Sequence, residues 1–390
     1  MSDEAIYLDY AATSPVDPAV TAAMLECLQH EFGNPSSQHA AGRRARQLVE
    51  AARAAVAARV GAEPERLAFT SGATEANNLA LQGVLRRQRK ARPHLVTSRI
   101  EHKSVLDTAR ALEAEGVEVT YVEAEADGSI DARRVAGAIR ADTALVSIMH
   151  VNNETGVIQD VNAIGALCRE RGVPFHVDAA QSAGKLPLKL ADAPIDLCSL
   201  TAHKVCGPKG VGALYVAPHI VLAALLHGGE QERGVRAGTQ PTHQIVGMGR
   251  AYELADPEVE APRLAALRDR LWHQLESIAG VRQNGAPARR AAHVLNVSFP
   301  GVDGEALRFG LRGVEVSAGA ACTAASPEAS HVLTGMGLSD TLAGSSLRFS
   351  VGRFTTEAEV LRAAATVAEA VDRLRSLAKS APAWCSGSAF

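Results

Sequence analysis

Lys204 stands in the stretch "LTAHKVCGPKG", residues 200–210, after an apolar run and before a turn rich in Gly and Pro. Burying an unpaired ammonium is expensive, so a lysine placed there needs a partner. Cys206 follows two residues later. Other reactive side chains also follow apolar, strand-like runs. Ser71-Gly72-Ala73-Thr74 comes after "LAFT" and opens a helical pattern. Free N–H groups and the helix dipole suit an anion there. Glu101-His102 follows "LVTSR", and Asn152-Asn153-Glu154-Thr155-Gly156 follows "SIMHV". Asp178 ends "FHVD", with Gln181 just beyond it. Singly, these are also readable as a tight turn, a structural histidine or a polar turn. An aspartate that closes an apolar strand still has to find a donor or a cation.

The elements that would position these residues alternate. "SSQHAAGRRARQLVEAARAAVAARVG" places Leu48, Val49, Ala52, Val56 and Val60 at helical spacing and ends on Gly61. "RLAFT", "HLVTSR", "ALVSIMHV", "PFHVDAA", "DLCSLTA" and "GALYV" read as short strands, most of them separated by helical patterns. That alternation predicts βαβ units and a mainly parallel sheet. After about residue 255 the pattern changes. A charged helix, "PRLAALRDRLWHQLESI", leads to "HVLNVSF", "VEVSA" and "SLRFSVG", then to a helix opened by a Thr356–Glu359 capping box. The expected organisation is a large α/β domain over 15–255 and a smaller α/β domain formed by 1–14 with 256–390.

In open α/β sheets, ligands sit at the carboxyl ends of the strands. An anion cradle, an imidazole, an amide, a carboxylate and a lysine all fall at that edge. Pyridoxal 5'-phosphate needs this set. Its phosphate suits a helix N-terminus, its aldehyde a lysine, and its pyridine nitrogen a carboxylate that keeps it protonated. Lys204 would carry the cofactor as an imine. Beside a cationic pyridinium its amine would lose basicity, which suits it to moving protons at a substrate's α-carbon.

The 390 residues are 47% hydrophobic and 21% charged, with a net charge of −3. Nothing in that balance favours nucleic acid or an acidic membrane. The basic run "RRQRKARPH", Arg86 to His94, is expected to be a solvated helix end. The N-terminus has neither a signal-peptide nor a transit-peptide pattern, and no apolar run is long enough to span a membrane. The cysteines, at 27, 168, 198, 206, 322 and 385, form no C-x-x-C pair. A disulfide framework or a metal site is not expected, which suits a reducing, cytoplasmic setting. The tail "APAWCSGSAF", with Cys385, reads as a frayed terminus.

Ten ordered motifs carry a family resemblance. "YLDYAATSPVDP", "FGNPSSQH", "FTSGATEANNLA", "EHKSVLDT", "VSIMHVNNETGV", "HVDAAQSAGK", "AHKVCGPKGVGALYV", "HGGEQERGVRAGTQ", "GAACTAAS" and "SLRFSVGRFT" resemble the NifS/IscS-like cysteine desulfurases. Those enzymes use pyridoxal phosphate on the type I, class V aminotransferase fold. The resemblance implies that Lys204 binds the cofactor, Asp178 holds its pyridine nitrogen and Gln181 its ring oxygen. His102 would stack on the ring and move a proton. Ala73, Thr74, Thr201 and His203 would hold the phosphate, with Thr239 reaching in from the second subunit of a homodimer. Asn153 would lie by the ring and the substrate carboxylate, and Arg348 would grip that carboxylate with its planar fork.

Cys322 matches the family's catalytic cysteine, on a small, polar loop suited to delivering sulfur. Cys206, next to a rigid turn, is expected to be a packed bystander. The implied reaction turns L-cysteine into L-alanine and leaves a persulfide on Cys322. The sulfur would pass to an acceptor such as an iron–sulfur scaffold. Selenocysteine lyase, another class V transaminase or lyase, and a docking hub for sulfur acceptors are the alternatives. Two departures from the family pattern stand out. Thr201 replaces a usual serine, and "AGAACTA" replaces a more serine-rich "SGSACTS" loop.

Overall fold

Short, fully buried runs build the central sheet. The computed structural model describes residues 5–87, 92–318 and 329–380. Cys322 and Cys385 lie outside the described residues. The chain starts with β1 (Ile6–Tyr7). The large sheet takes β2 (Leu67–Thr70), β3 (His94–Ser98), β4 (Glu118–Val122), β5 (Thr143–Met149), β6 (Phe175–Asp178), β7 (Leu197–Thr201) and β8 (Gly212–Val216). Their spatial order is β2-β8-β7-β6-β5-β3-β4. Only β8 runs antiparallel to its neighbours, β2 and β7. Every residue of β3, β5, β6 and β7 is buried. Such apolar strands require cover on both faces, and helices supply it.

One covering layer is the helix Ala40–Val60, stopped by Gly61 in the left-handed region at φ 61. It buries Val49, Val56 and Val60 in the main hydrophobic cluster. A second cluster, on the opposite side of the sheet, joins Leu79, Leu81, Val105 and Leu112 to Leu95 and Leu145. Burying side chains of this size contributes roughly 1.5–3 kcal/mol each.

The smaller sheet comprises β9 (Arg282–Gln283), β10 (Val294–Ser298), β12 (Ser317–Ala318) and β13 (Ser346–Ser350), in the order β12-β13-β10-β9. β11 (Val314–Glu315) pairs in parallel with β1, which draws the N-terminal segment into this region. Ile6 and Leu8 share a cluster with Leu271, Phe299, Phe349 and Val367. Arg353 ties this part to the large one through Asp17 at 2.9 Å and the Leu254 carbonyl at 3.3 Å.

Three details differ from the sequence reading. "EVTYV" forms the edge strand β4, yet its half-exposed residues carry no apolar run to announce it. "VEVSA" divides at Val316 between two partners, β1 and β13. His94 does not extend a solvated helix end. The helix before it stops at Leu85, and His94 is buried in β3 between the hydroxyls of Thr143 (2.8 Å) and Thr120 (2.9 Å). Among the described residues, no helix is long and apolar enough to cross a membrane.

Candidate active site

The carboxyl ends of β2, β3, β5, β6 and β7 open into one cavity of about 680 Å³. Lys204, Asp178, His102, Thr74 and Asn153 line it from the large sheet, and Arg348 lines it from the small one. Ala73, Gln181, Thr201 and His203 also reach it. Thr239 is exposed and does not line the cavity of its own chain.

Asp178 lies at the cavity floor, 5% exposed. One oxygen accepts the Ala180 N–H at 2.9 Å, and the other accepts Asn77 Nδ2 at 2.8 Å. Asn77 Nδ2 also donates to Ser104 Oγ at 2.8 Å. Ser104 Oγ lies 2.8 Å from His102 Nδ1, and the Ser104 backbone N–H donates to that same nitrogen at 3.1 Å. His102 is thus the N-cap of the helix Lys103–Ala114. A backbone N–H can only donate, so Nδ1 is an acceptor and the neutral ring carries its proton on Nε2. Burial is the main influence lowering the His102 pKa; Lys204 and His331 add to it, while Asp178 opposes it.

At one end of the cavity the helix Ala73–Leu85 begins without a side-chain cap. Its first N–H groups therefore await a partner. Gly72 takes φ 150 there, which only glycine adopts comfortably. A Cβ on Gly212 would come within 2.7 Å of Gly72 Cα, so β8 passes this turn at backbone distance. Thr201 Oγ1 is buried without a partner. His203 Nδ1 lies 3.2 Å from Thr13 Oγ1. Burial, with help from Lys204, Lys185 and Lys209, pushes its pKa down to about 4. It is a neutral ring at physiological pH.

The opposite wall is built around Arg348, 2% exposed on β13. Its Nη1 donates to the Asn153 carbonyl at 2.8 Å and its Nη2 to Asp9 Oδ1 at 2.7 Å. Its Nε is buried without a partner, as is Asn153 Oδ1. Gln181 spends one N–H on the Ala11 carbonyl at 2.8 Å, which leaves its second amide hydrogen for a ligand. Cys206 lies behind Lys204 in a separate small cavity. Burial pushes its thiol up, which suppresses the thiolate.

Residues 6–362 match the aminotransferase class-V family. Cysteine desulfurase IscS of Shewanella woodyi is 52% identical over 386 residues, covering 97% of this chain and 95% of that protein. The chain belongs to the class V aminotransferases, among the IscS/NifS-like cysteine desulfurases. Cysteine desulfurase IscS of Proteus mirabilis shares the same identity and coverage. A solved NifS-like protein superposes on this cysteine desulfurase with TM-score 0.89 at 35% identity, over 95% of this chain and all of that one. SspA in complex with cysteine gives TM-score 0.81 at 40% identity, over 90% and 99% of the two chains. The family depends on pyridoxal phosphate, and the cavity fits that group. An uncapped helix start and an orphaned Thr201 hydroxyl suit a phosphate, the Asp178 carboxylate suits a protonated pyridine nitrogen, and a lysine suits an aldehyde.

Several residues of this cysteine desulfurase site escape sequence reasoning. Asn77 and Ser104 tie Asp178 to His102, yet both sit inside helical patterns that look like ordinary packing. Asp9 holds Arg348 from 339 positions away. Glu154 is buried, accepts the Ser330 hydroxyl and has its carboxyl pushed up by burial. His331 lines the cavity and donates through Nε2 to the Glu101 carbonyl at 2.9 Å. Asp9, Asn77, Ser104 and Glu154 fall within quoted motifs that gave them no role, and His331 falls in none.

Proposed function

We propose that this chain removes sulfur from L-cysteine, releasing L-alanine and leaving a persulfide on Cys322. One observation carries the reading: Lys204 and Asp178 from the large sheet face Arg348 from the small sheet across one cavity. Pyridoxal phosphate, when bound, supplies an electron sink beside the substrate's α-carbon. Lys204 holds the cofactor and takes the α-proton. Asp178, held by two donors, would face the pyridine nitrogen. Thr201, His203 and the start of the helix at Ala73 and Thr74 would hold the phosphate. Gln181 would bind the ring oxygen, and His102 would stack on the ring. Arg348 and Asn153 orient the substrate carboxylate, and the fork of Arg348 is fixed in advance by Asp9.

Cys322 is the nucleophile and the carrier of sulfur. Thr239, exposed on its own chain, completes the phosphate site of a partner subunit in a homodimer. The sulfur passes to an acceptor such as an iron–sulfur scaffold, in the cytoplasm. The separate hydrophobic clusters support two domains, 15–255 and 1–14 with 256–390.

Borohydride reduction of the purified holoenzyme, followed by digestion, is expected to leave a pyridoxyl group on Lys204. A cysteine pulse is expected to add one sulfur atom to Cys322 and to release alanine. A pyridoxyl group on another lysine, or sulfur release that survives Cys322→Ala, overturns the assignment.

A further inference from the structure

Of the three imidazoles that line the cavity, His102 and His331 are fixed by backbone contacts in opposite tautomers. His331 begins the short helix His331–Gly335. A carbonyl oxygen only accepts, so the 2.9 Å contact to Glu101 requires a proton on His331 Nε2. In the neutral ring Nδ1 is then a bare lone pair, and it makes no hydrogen bond among the described residues. His102 is the reverse case, with Nδ1 occupied by the Ser104 N–H and its proton on Nε2. Glu101 directly precedes His102, so the bond to its carbonyl ties His331 to the residue next to His102. Moving a proton onto His102 Nδ1 would break a helix cap, which costs about 1 kcal/mol. His331 pays no such penalty at Nδ1.

We propose that His331 accepts the thiol proton of the substrate while His102 serves as a hydrogen-bond donor. The inference rests on the desulfurase reading above. As the substrate's carbon–sulfur bond breaks, its electron pair stays with carbon. Sulfur forms its new bond to the attacking thiolate, assigned above to Cys322. The proton that sulfur carried passes to His331 Nδ1 and from there to solvent at the cavity mouth. No oxidant or further reactant is needed. Ser330, the residue before His331, donates its hydroxyl to the buried Glu154.

His331→Gln separates this role from a structural one, because the glutamine amide still donates to the Glu101 carbonyl but offers no base. His331→Asn is the second variant; it lacks the base as well and shortens the reach to Glu101. The measurement is kcat for alanine release by the holoenzyme from L-cysteine and from L-selenocysteine, whose selenol is already ionised at neutral pH. Both variants are expected to lose about 100-fold on cysteine and to stay within about threefold of wild type on selenocysteine. Equal losses on the two substrates, or no loss on cysteine, overturn the proposal. Wild-type enzyme that releases no alanine from cysteine overturns the desulfurase reading itself, and this inference falls with it. Those results are distinct, because the first two require an active wild type.

Discussion

The two walls of the cavity are held in different ways. On the large-sheet wall, each functional side chain closes a strand, opens the helix after it or sits in the turn just beyond a strand, as Asp178, His102, Thr74 and Lys204 do. Parallel strands share a direction, so their ends bring these residues to one edge, where Asn77 and Ser104 then link Asp178 to His102. The opposite wall has no such frame. Arg348 lies within β13 and is aimed by Asp9 and by the Asn153 carbonyl, from segments 339 and 195 positions away. His331 is aimed by the Glu101 carbonyl, 230 positions away. The first wall is set by local chain direction, and the second by long-range hydrogen bonds. Damage to the first should therefore strike the chemistry, and damage to the second should strike substrate positioning.

The largest effect is expected at the floor. Asp178→Ala should lower kcat for alanine release by on the order of 10³-fold, since it removes a buried charge aimed at the reacting system. The borohydride adduct on Lys204 reports whether the variant still holds its cofactor. A loss confined to KM would break the comparison. Next comes Arg348→Lys on the opposite wall, which keeps the charge but not the fork. KM for cysteine should rise about 10- to 100-fold with a smaller change in kcat, the cost of charge-assisted hydrogen bonds. Steady-state kinetics over a wide cysteine range separates the two.

A stability measurement sharpens the contrast at the junction of the walls. Glu101 is buried, which raises its pKa to about 8 against the opposing bonds from Ser98 and the Met149 N–H. Its folded pKa lies above its unfolded one, so its contribution is fully present below about 4.5 and is lost as pH rises toward 8. Wild type should lose stability relative to Glu101→Gln by about 1 kcal/mol per pH unit across that window. Urea unfolding of both proteins at several pH values tests this, and parallel curves would refute it. The smallest effect is expected for Ser104→Ala. Asn77 and His102 each lose a partner, yet the backbone N–H still fixes the His102 tautomer. A drop in kcat of about fivefold is expected, in line with one hydrogen bond.

The large-sheet wall was legible because it follows from local chemistry. An apolar run that ends on Asp178, or stops just short of Lys204, is visible without knowing any contact. The family resemblance carried Arg348 and Asn153, and the structure brings both into the same cavity. Asn77, Ser104, Asp9 and His331 were not legible. A polar residue on a helix or in an extended segment looks the same whether its partner is solvent or a residue 300 positions away. The edge strand β4 was missed for a related reason, since partial exposure removes the apolar pattern that marks a strand.

From its own residues the chain determines a mainly parallel sheet, the order of its strands along the sequence and the chemistry gathered at their ends. Hydrophobic periodicity and turn residues act over a few positions, so they can be read directly. Folding in three dimensions decided which face Arg348 meets, which nitrogen of each histidine carries its proton and which carboxyl groups stay buried. Those outcomes depend on distances between residues far apart in the chain, and such distances exist only once the two sheets have packed against each other.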